Sequence, residues 1–345
     1  MEEGKLPLNL LEKMLIQSKK EFDGVIQGPK IGCDVAVVDY QKIMKKAQLF
    51  YNSNEDVYLV FKTDPITFPT PDPGRYAVIV NANDVVTSGA IPFGFNATLL
   101  LPVGTKKEEI FRIQNGIQST CDQMSIVVLG GHTELSSSVN TPIVSGAMIG
   151  LVPRDYYVPR KISEGDVMLC VDWCAKEGIG IIASEGYDKL QNHFDVKILE
   201  KLKQLGEKIS VVNDALQINK KYQPGLMHDA TEGGVLGAAY ETIVPEGFGL
   251  KLNNDNIPFT KETMDVSNFL KVNPLRLISS GTLLVVTSKE KAEKLTKEST
   301  SERPIAIIGE IVSKEKGVTL DGKEVEPPGP DAIIDALRKI EEENF

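Results

Sequence analysis

Apolar residues along the chain switch repeatedly between two spacings, every third or fourth position and every second. The first is the spacing of a helix face and the second that of a half-buried strand. Leu8, Leu11, Leu15 and Ile16 share one side of a short amphipathic helix over 8–20. The runs KIGCDVAVVDY (30–40) and DVYLVFKTD (56–64) predict strands. Pro65, Pro69, Pro71 and Pro73 then break the pattern and predict an extended loop. Asp72 ahead of Pro73 has the form of an N-cap followed by a first-turn proline. A helix therefore begins there, and it stops at Gly89, just before Pro92. Residues 94–102 predict a strand, and Thr105 with Glu108 a capping box. That box opens a helix with Ile110, Ile113 and Ile117 on one face. Residues 125–134 predict a strand running into a glycine turn, and 141–152 one more strand.

Residues 153–166, with two prolines, three basic residues and little periodicity, read as a linker. A second helix-and-strand half follows, with strands over 166–173, 281–288 and 304–312 and a loop around 253–259. The stretch 321–330 is turn-rich, and 331–345 reads as a polar terminal helix. The organisation expected is an arm over 1–29, a domain over 30–152, a second over 160–320 and a polar tail over 321–345. A chain of 345 residues accommodates two domains comfortably. The fold class is α/β (α+β).

Composition narrows the function. With 41% hydrophobic and 25% charged residues the chain can bury full cores. A formal net charge of −10 argues against broad nucleic-acid binding, which needs a basic surface to neutralise phosphates. It leaves room for a nucleotide, whose charge a few cations, backbone N–H groups and a bound metal offset locally. Cys33, Cys121, Cys170 and Cys174 form no CxxC pair; Cys170 and Cys174 read as buried thiols before a metal or redox pair. The N-terminus lacks a signal-peptide pattern, and no stretch approaches 18 apolar residues. A reducing, cytoplasmic setting without a membrane partner is the expectation.

Acids and glycines recur at element boundaries. Asp34 leads an apolar run after Gly32, either at a cleft mouth or as a turn acid. Asp64 closes a strand beside Thr63. Asn81, Asp84 and Ser88 line one helix face with short polar groups, either toward a ligand or as the solvated side. Gly130 and Gly131 precede His132, Thr133 and Glu134, where glycines allow close backbone approach and the side chains offer ligand atoms. In HDATEGG, Gly233 and Gly234 open a helix whose N–H groups suit an anion, and Asp229 could hold a divalent cation beside it. Asp229 or Thr231 as a plain N-cap accounts for that stretch almost as well.

Taken in order, these motifs resemble the aminoimidazole-ribonucleotide (AIR) synthetase-like superfamily. It contains that purine enzyme, thiamine-monophosphate kinase, selenophosphate synthetase and the carbamoyl dehydratase of hydrogenase maturation. CDVAVV resembles the family's DDAAV strand, VFKTDPIT its TTD segment and NANDVVTSGAIP its NDxxxxGA helix. GGHTE stands where relatives carry GGDT, GGET or GGHT; HDATEGGVLGAA resembles DxTxGGL, and VNPLRLISSGTLLVV resembles DPLxxxxEGxLL. The match runs from about residue 30 to about 320.

The resemblance implies two α/β domains, the N-terminal one pairing into a dimeric β-barrel, with ATP and Mg²⁺ in the cleft between domains. It makes Asp34, Asp84 and Asp229 candidate metal ligands and Asp84 and His132 candidate catalytic residues. Asp34, Asp64, Asn81, Gly130, Gly131, Thr133, Gly233 and Gly234 become nucleotide contacts. The shared chemistry is activation of an oxygen by phosphorylation, carried by charge neutralisation and positioning. Cys33 departs from the first acid of DDAAV, His132 from the acid of GGDT and Ser280 from the acid of EGxLL. The segment before residue 30 lacks the Cys- and Gly-rich stretch of selenophosphate synthetase. The carbamoyl dehydratase carries its carbamoyl group on a C-terminal cysteine, and RKIEEENF offers none, which implies a separate small-molecule or protein acceptor and a dispensable tail. The expectation is an ATP- and Mg²⁺-dependent homodimer of the carbamoyl dehydratase kind. The alternatives are a small-molecule kinase or synthetase of the same fold, or a non-catalytic ATP-binding partner in a maturation complex.

Overall fold

The computed structural model describes residues 2–17, 22–67, 70 and 72–343. The chain forms two compact units, Met1–Tyr157 and Val158–Phe345. The first holds β1 (Gly4–Lys5), α1 (Leu8–Gln17), β2 (Val25–Gln27), β3 (Val37–Val38) and α2 (Tyr40–Tyr51). It continues with β4 (Val57–Ile66), α3 (Pro73–Thr87), β5 (Ile91–Pro102), α4 (Lys107–Gln123), β6 (Val127–Ser136) and β7 (Ile143–Pro153).

Five strands form one sheet in the order β1-β6-β5-β7-β4. Only β5 and β6 run parallel, and α4 makes the crossover between them. Helix α3 packs on the face of β4 and β7, held close by two glycines. A Cβ on Gly146 would lie 2.5 Å from Asn81 Nδ2, and one on Gly150 2.4 Å from Val85 Cγ1. The Asp72 cap forms as expected: its carboxylate accepts from the Arg75 N–H at 3.1 Å. Ile110, Ile113 and Ile117 are buried together on α4.

Three expectations change in this unit. Most of 30–40 is irregular, and only Val37–Val38 pairs, with Val25–Gln27. The competing signal is Asp39, an N-cap accepting from Lys42 N–H at 3.2 Å, which starts α2 with Ile43, Ala47 and Tyr51 buried. No capping box forms at Thr105, whose hydroxyl donates instead to the Pro102 carbonyl at 2.7 Å. Gly130 and Gly131 do not turn; they sit inside β6, and a Cβ on Gly131 would lie 2.2 Å from the Ala97 carbonyl oxygen. Tight strand pairing therefore accounts for that glycine. Within one chain the sheet is open, with β1 and β4 at its edges, and no closed barrel forms among the described residues, which leaves the expected two-chain barrel a proposal. Pro69, Pro71 and residues 18–20 of the first predicted helix lie outside the described residues.

The second unit holds β8 (Val167–Val171), α5 (Lys176–Glu185), α6 (Tyr187–Leu190), α7 (Val196–Gly206), α8 (Val212–Tyr222), β9 (Leu226–Ala230) and α9 (Gly234–Ile243). After these come β10 (Phe248–Leu252), α10 (Lys261–Phe269), β11 (Thr282–Thr287), α11 (Lys289–Thr296), β12 (Ile305–Ser313), β13 (Val318–Leu320), β14 (Lys323–Glu324) and α12 (Ala332–Glu342). The sheet order is β14-β13-β10-β12-β8-β11-β9. Strands β8 and β11 are buried at every position, which explains their unbroken apolar runs. Val235, Leu236, Ala239 and Ile243 of α9 pack with Met168, Cys170, Leu284 and Val286 from the sheet.

Residues 321–343 are not a free polar tail. Ala336 and Ile340 of α12 are buried in one cluster with Ile179, Ile182, Leu199 and Leu202 of α5 and α7. Lys189 Nζ donates to the carbonyls of Ile340 at 2.9 Å and Glu341 at 2.7 Å. The helix reads as polar because its buried stripe is only a few residues wide.

Candidate functional site

Strand alternation sets the chemistry of the first unit. Lys62 and Asp64 project from the same face of β4, the face that α3 covers. Lys62 Nζ lies 2.9 Å from Asp84 Oδ2 and 3.8 Å from Asp64 Oδ2. Asn81, one turn before Asp84, is fully buried and donates to the Asp64 carbonyl at 3.1 Å and the Ala77 carbonyl at 2.8 Å. Its Oδ1 is buried and accepts no hydrogen bond from a described residue. Thr63 points the other way and donates to the Gly146 carbonyl at 2.8 Å. The structure thus brings Asp64, Asn81 and Asp84 together around Lys62. The lysine was legible two residues before Asp64, where strand spacing puts it on the same face.

His132 belongs elsewhere. It pairs in register with Thr98, which pairs with Ser145, and Ser145 faces away from the Gly146 and Met148 side that α3 covers. Strands β5 and β7 also separate β6 from β4. His132 and Asp84, the two candidate catalytic residues, therefore lie on opposite faces of the sheet. His132 Nε2 is instead 2.9 Å from Glu134 Oε2. Thr133 and Gly131 lie on the α3 side, and Asp34 is exposed on an irregular segment.

In the second unit, Asp229 sits near the end of β9, paired with Leu283 and 2% exposed. Its Oδ1 is buried and accepts no hydrogen bond from a described residue, and His228 Nδ1 lies 3.8 Å from it. Gly233 and Gly234 both take positive φ, +77° and +65°. A Cβ on Gly234 would lie 2.5 Å from the Leu275 carbonyl oxygen. The expected open N–H donors are satisfied within the chain: Gly233 N–H donates to Asp331 Oδ2 at 2.7 Å, Gly234 N–H to the Thr231 carbonyl at 3.1 Å. Asp331, the N-cap of α12, also accepts from Ile278 N–H at 3.2 Å and Ile333 N–H at 2.8 Å. No sequence signal tied Asp331 to a loop 98 residues away.

Around this loop the sequence missed several groups. Lys176, 1% exposed, pairs with Asp172 at 2.6 Å. Asp172 takes φ +72° and Ala175 φ +59°, two left-handed residues with side chains in one short turn. Ser279 ties the turn to the loop, accepting from Ala175 N–H at 2.7 Å and donating its own N–H to the Thr231 carbonyl at 3.2 Å. Glu177 hydrogen-bonds Ser280, and its Oε2 is buried without a described partner. Burial, which the Ser280 bond opposes, pushes the Glu177 carboxyl above the usual carboxylate range. Burial likewise raises Asp331 against the pull of its N–H donors. Among the described residues, no three His, Cys, Asp or Glu side chains form a set that could hold a metal ion. Cys170 and Cys174 are buried thiols with sulfurs 3.3 Å apart.

The two-unit α/β fold and the order of these motifs define a class. The chain belongs to the AIR synthase related protein family: residues 32–152 match the family's N-terminal domain and residues 163–321 its C-terminal domain. Among individual proteins, it is 29% identical over 278 residues to one of Methanocaldococcus jannaschii named for hydrogenase expression and formation, covering 77% of this chain and 79% of that one. It is 26% identical over 280 residues to the carbamoyl dehydratase HypE of Escherichia coli K12, covering 77% of each. A hydrogenase maturation protein HypE solved in complex with ATP superposes with a TM-score of 0.71 at 18% identity, over 96% of this chain and 97% of that one.

Proposed function

We propose that the chain is an ATP- and Mg²⁺-dependent enzyme that activates an amide- or carbamoyl-type oxygen by phosphorylation. The family, the carbamoyl dehydratase relative and the ATP complex of a similar fold support this reading. The observation that carries it is Asp229, a buried carboxylate just before the Gly233–Gly234 turn whose Oδ1 accepts no hydrogen bond from a described residue. A buried, unpaired carboxylate oxygen costs several kcal/mol unless a proton or cation satisfies it.

A divalent cation fits Asp229 on that ground, and Asp34, exposed on its segment, is a second proposed ligand. At Asp84 the fit is poor, because Lys62 already sits on the carboxylate. When bound, Mg²⁺ supplies charge neutralisation at phosphate oxygens. Asp64, Asn81, Gly130, Gly131 and Thr133 are proposed nucleotide contacts in the first unit. Gly233 and Gly234 are proposed contacts in the second through backbone approach, their N–H groups being already bonded within the chain. The His132–Glu134 pair is proposed to handle a proton at the sheet face opposite Asp84.

The acceptor is proposed to be a separate molecule. Of the four cysteines, Cys121, Cys170 and Cys174 are buried, and burial raises the Cys121 and Cys174 thiols far above their ordinary value. They are poor carriers. We also propose a homodimer formed through the first unit. Leu59 and Phe61 stand 45% and 69% exposed on the sheet face away from α3, beside Leu151 and Ile149. Among the described residues no helix is long and apolar enough to cross a membrane, and we place the enzyme in the cytoplasm as part of this reading.

Ligand-linked stability tests the nucleotide reading. ATP with Mg²⁺ that binds only the folded chain stabilises it by about 2.7 kcal/mol at a hundredfold excess over the dissociation constant. A thermal melt in millimolar Mg²⁺–ATP should shift upward, and an unchanged melt would contradict nucleotide binding.

A further inference from the structure

The TTD segment of the family reads Lys62-Thr63-Asp64 here, which places an ammonium on the strand face where Asp64 and Asp84 meet. We propose that Lys62 takes the place of a divalent cation between Asp64 and Asp84, as a positive charge built into the chain. This deepens the nucleotide reading above, but its first test does not depend on nucleotide.

Three observations carry it. Lys62 Nζ is 2.9 Å from Asp84 Oδ2, and Mg²⁺ would need that same oxygen at roughly 2.0–2.1 Å, so ammonium and metal compete for one position. The lysine cannot simply be a solvated surface group: its side chain is 35% exposed, rises from the α3-facing side of β4, and also reaches Asp64 at 3.8 Å. Third, among the described residues no three acid, His or Cys side chains gather into a metal set. Gain of a cation at 62 lowers the demand for metal on this face.

Charge balance gives the consequence. Two carboxylates alone carry −2 and repel a phosphate; the ammonium lowers this to −1 and weakens that repulsion. The first unit should then tolerate a nearby phosphate without its own metal, while Asp229 keeps a cation-dependent role.

Two experiments on the full chain decide it. In nucleotide-free protein, Mn²⁺ binding is followed by electron paramagnetic resonance. Wild type and Asp84→Asn should bind the same number of Mn²⁺ ions, because Asp84 holds none. Lys62→Thr should gain one ion per chain, Lys62→Thr/Asp84→Asn should lose it again, and Lys62→Arg, which keeps the charge, should match wild type. If Asp84→Asn strips Mn²⁺ from wild type, or a folded Lys62→Thr gains none, Lys62 does not replace a metal. In the second, ATP affinity is compared in Mg²⁺ and in EDTA. Wild type should weaken less than about fivefold and Lys62→Thr more than about tenfold, the latter a difference of ~1.4 kcal/mol; equal metal dependence would overturn the proposal. If neither form binds ATP, the nucleotide reading fails, and the Mn²⁺ result still decides the role of Lys62.

Discussion

Glu177 shows how a single buried acid leaves a signature in pH. Its carboxyl is 7% exposed and held mainly by Ser280, where the EGxLL pattern places an acid. Because burial raises its folded pKa above the ordinary 4.5, the folded state binds more protons than the unfolded state above that value. Its contribution is therefore fully present below pH 4.5 and lost as pH rises through the raised folded value. Glu177→Gln imitates the protonated group and should flatten that loss. Urea midpoints measured from pH 4 to 8 check it; parallel decline of wild type and variant would mean that Glu177 is ionised in the fold. The sequence offered no clue to this residue, since a Glu in the first turn of a helix normally reads as dipole compensation. Asp229 was legible as a candidate from its glycine neighbours, but its burial and its missing hydrogen bond depend on β11 packing beside it.

At the scale of elements, periodicity was a good guide wherever one face met a core. The strands β4, β5, β7, β8, β11 and β12 and the Asp72-capped helix stand close to where apolar spacing put them. Spacing failed where capping chemistry competed: Asp39 pulled 40–51 into a helix, and the Pro102 carbonyl took the Thr105 hydroxyl. It failed again at the chain's end, where docking decides the role of α12. Ile340 is 5% exposed against α5 and α7, so Ile340→Ala should cost about 2–4 kcal/mol, as core truncations do. A free polar tail would show a change within roughly 0.5 kcal/mol. Chemical denaturation separates the two, and the expected dispensability of the tail gives way to a structural role for α12.

For the whole molecule, the exposed Leu59 and Phe61 are the observation behind the proposed homodimer. Light scattering at micromolar concentration should give twice 37.8 kDa, and Phe61→Lys should shift it toward one copy. A 37.8 kDa particle for the wild-type chain would rule out the dimer.

The central claim, that this chain spends ATP on an oxygen with Asp229 holding the cation, is tested most directly by turnover. Purified protein is given Mg²⁺–ATP with a panel of carbamoyl and amide acceptors, and ADP and AMP are followed separately, for wild type and Asp229→Asn. The account predicts ADP and phosphate, faster with an acceptor, and a loss of about a hundredfold in Asp229→Asn, equivalent to ~2.7 kcal/mol in the barrier. Equal turnover in the two proteins, or none in wild type with any acceptor, would contradict it.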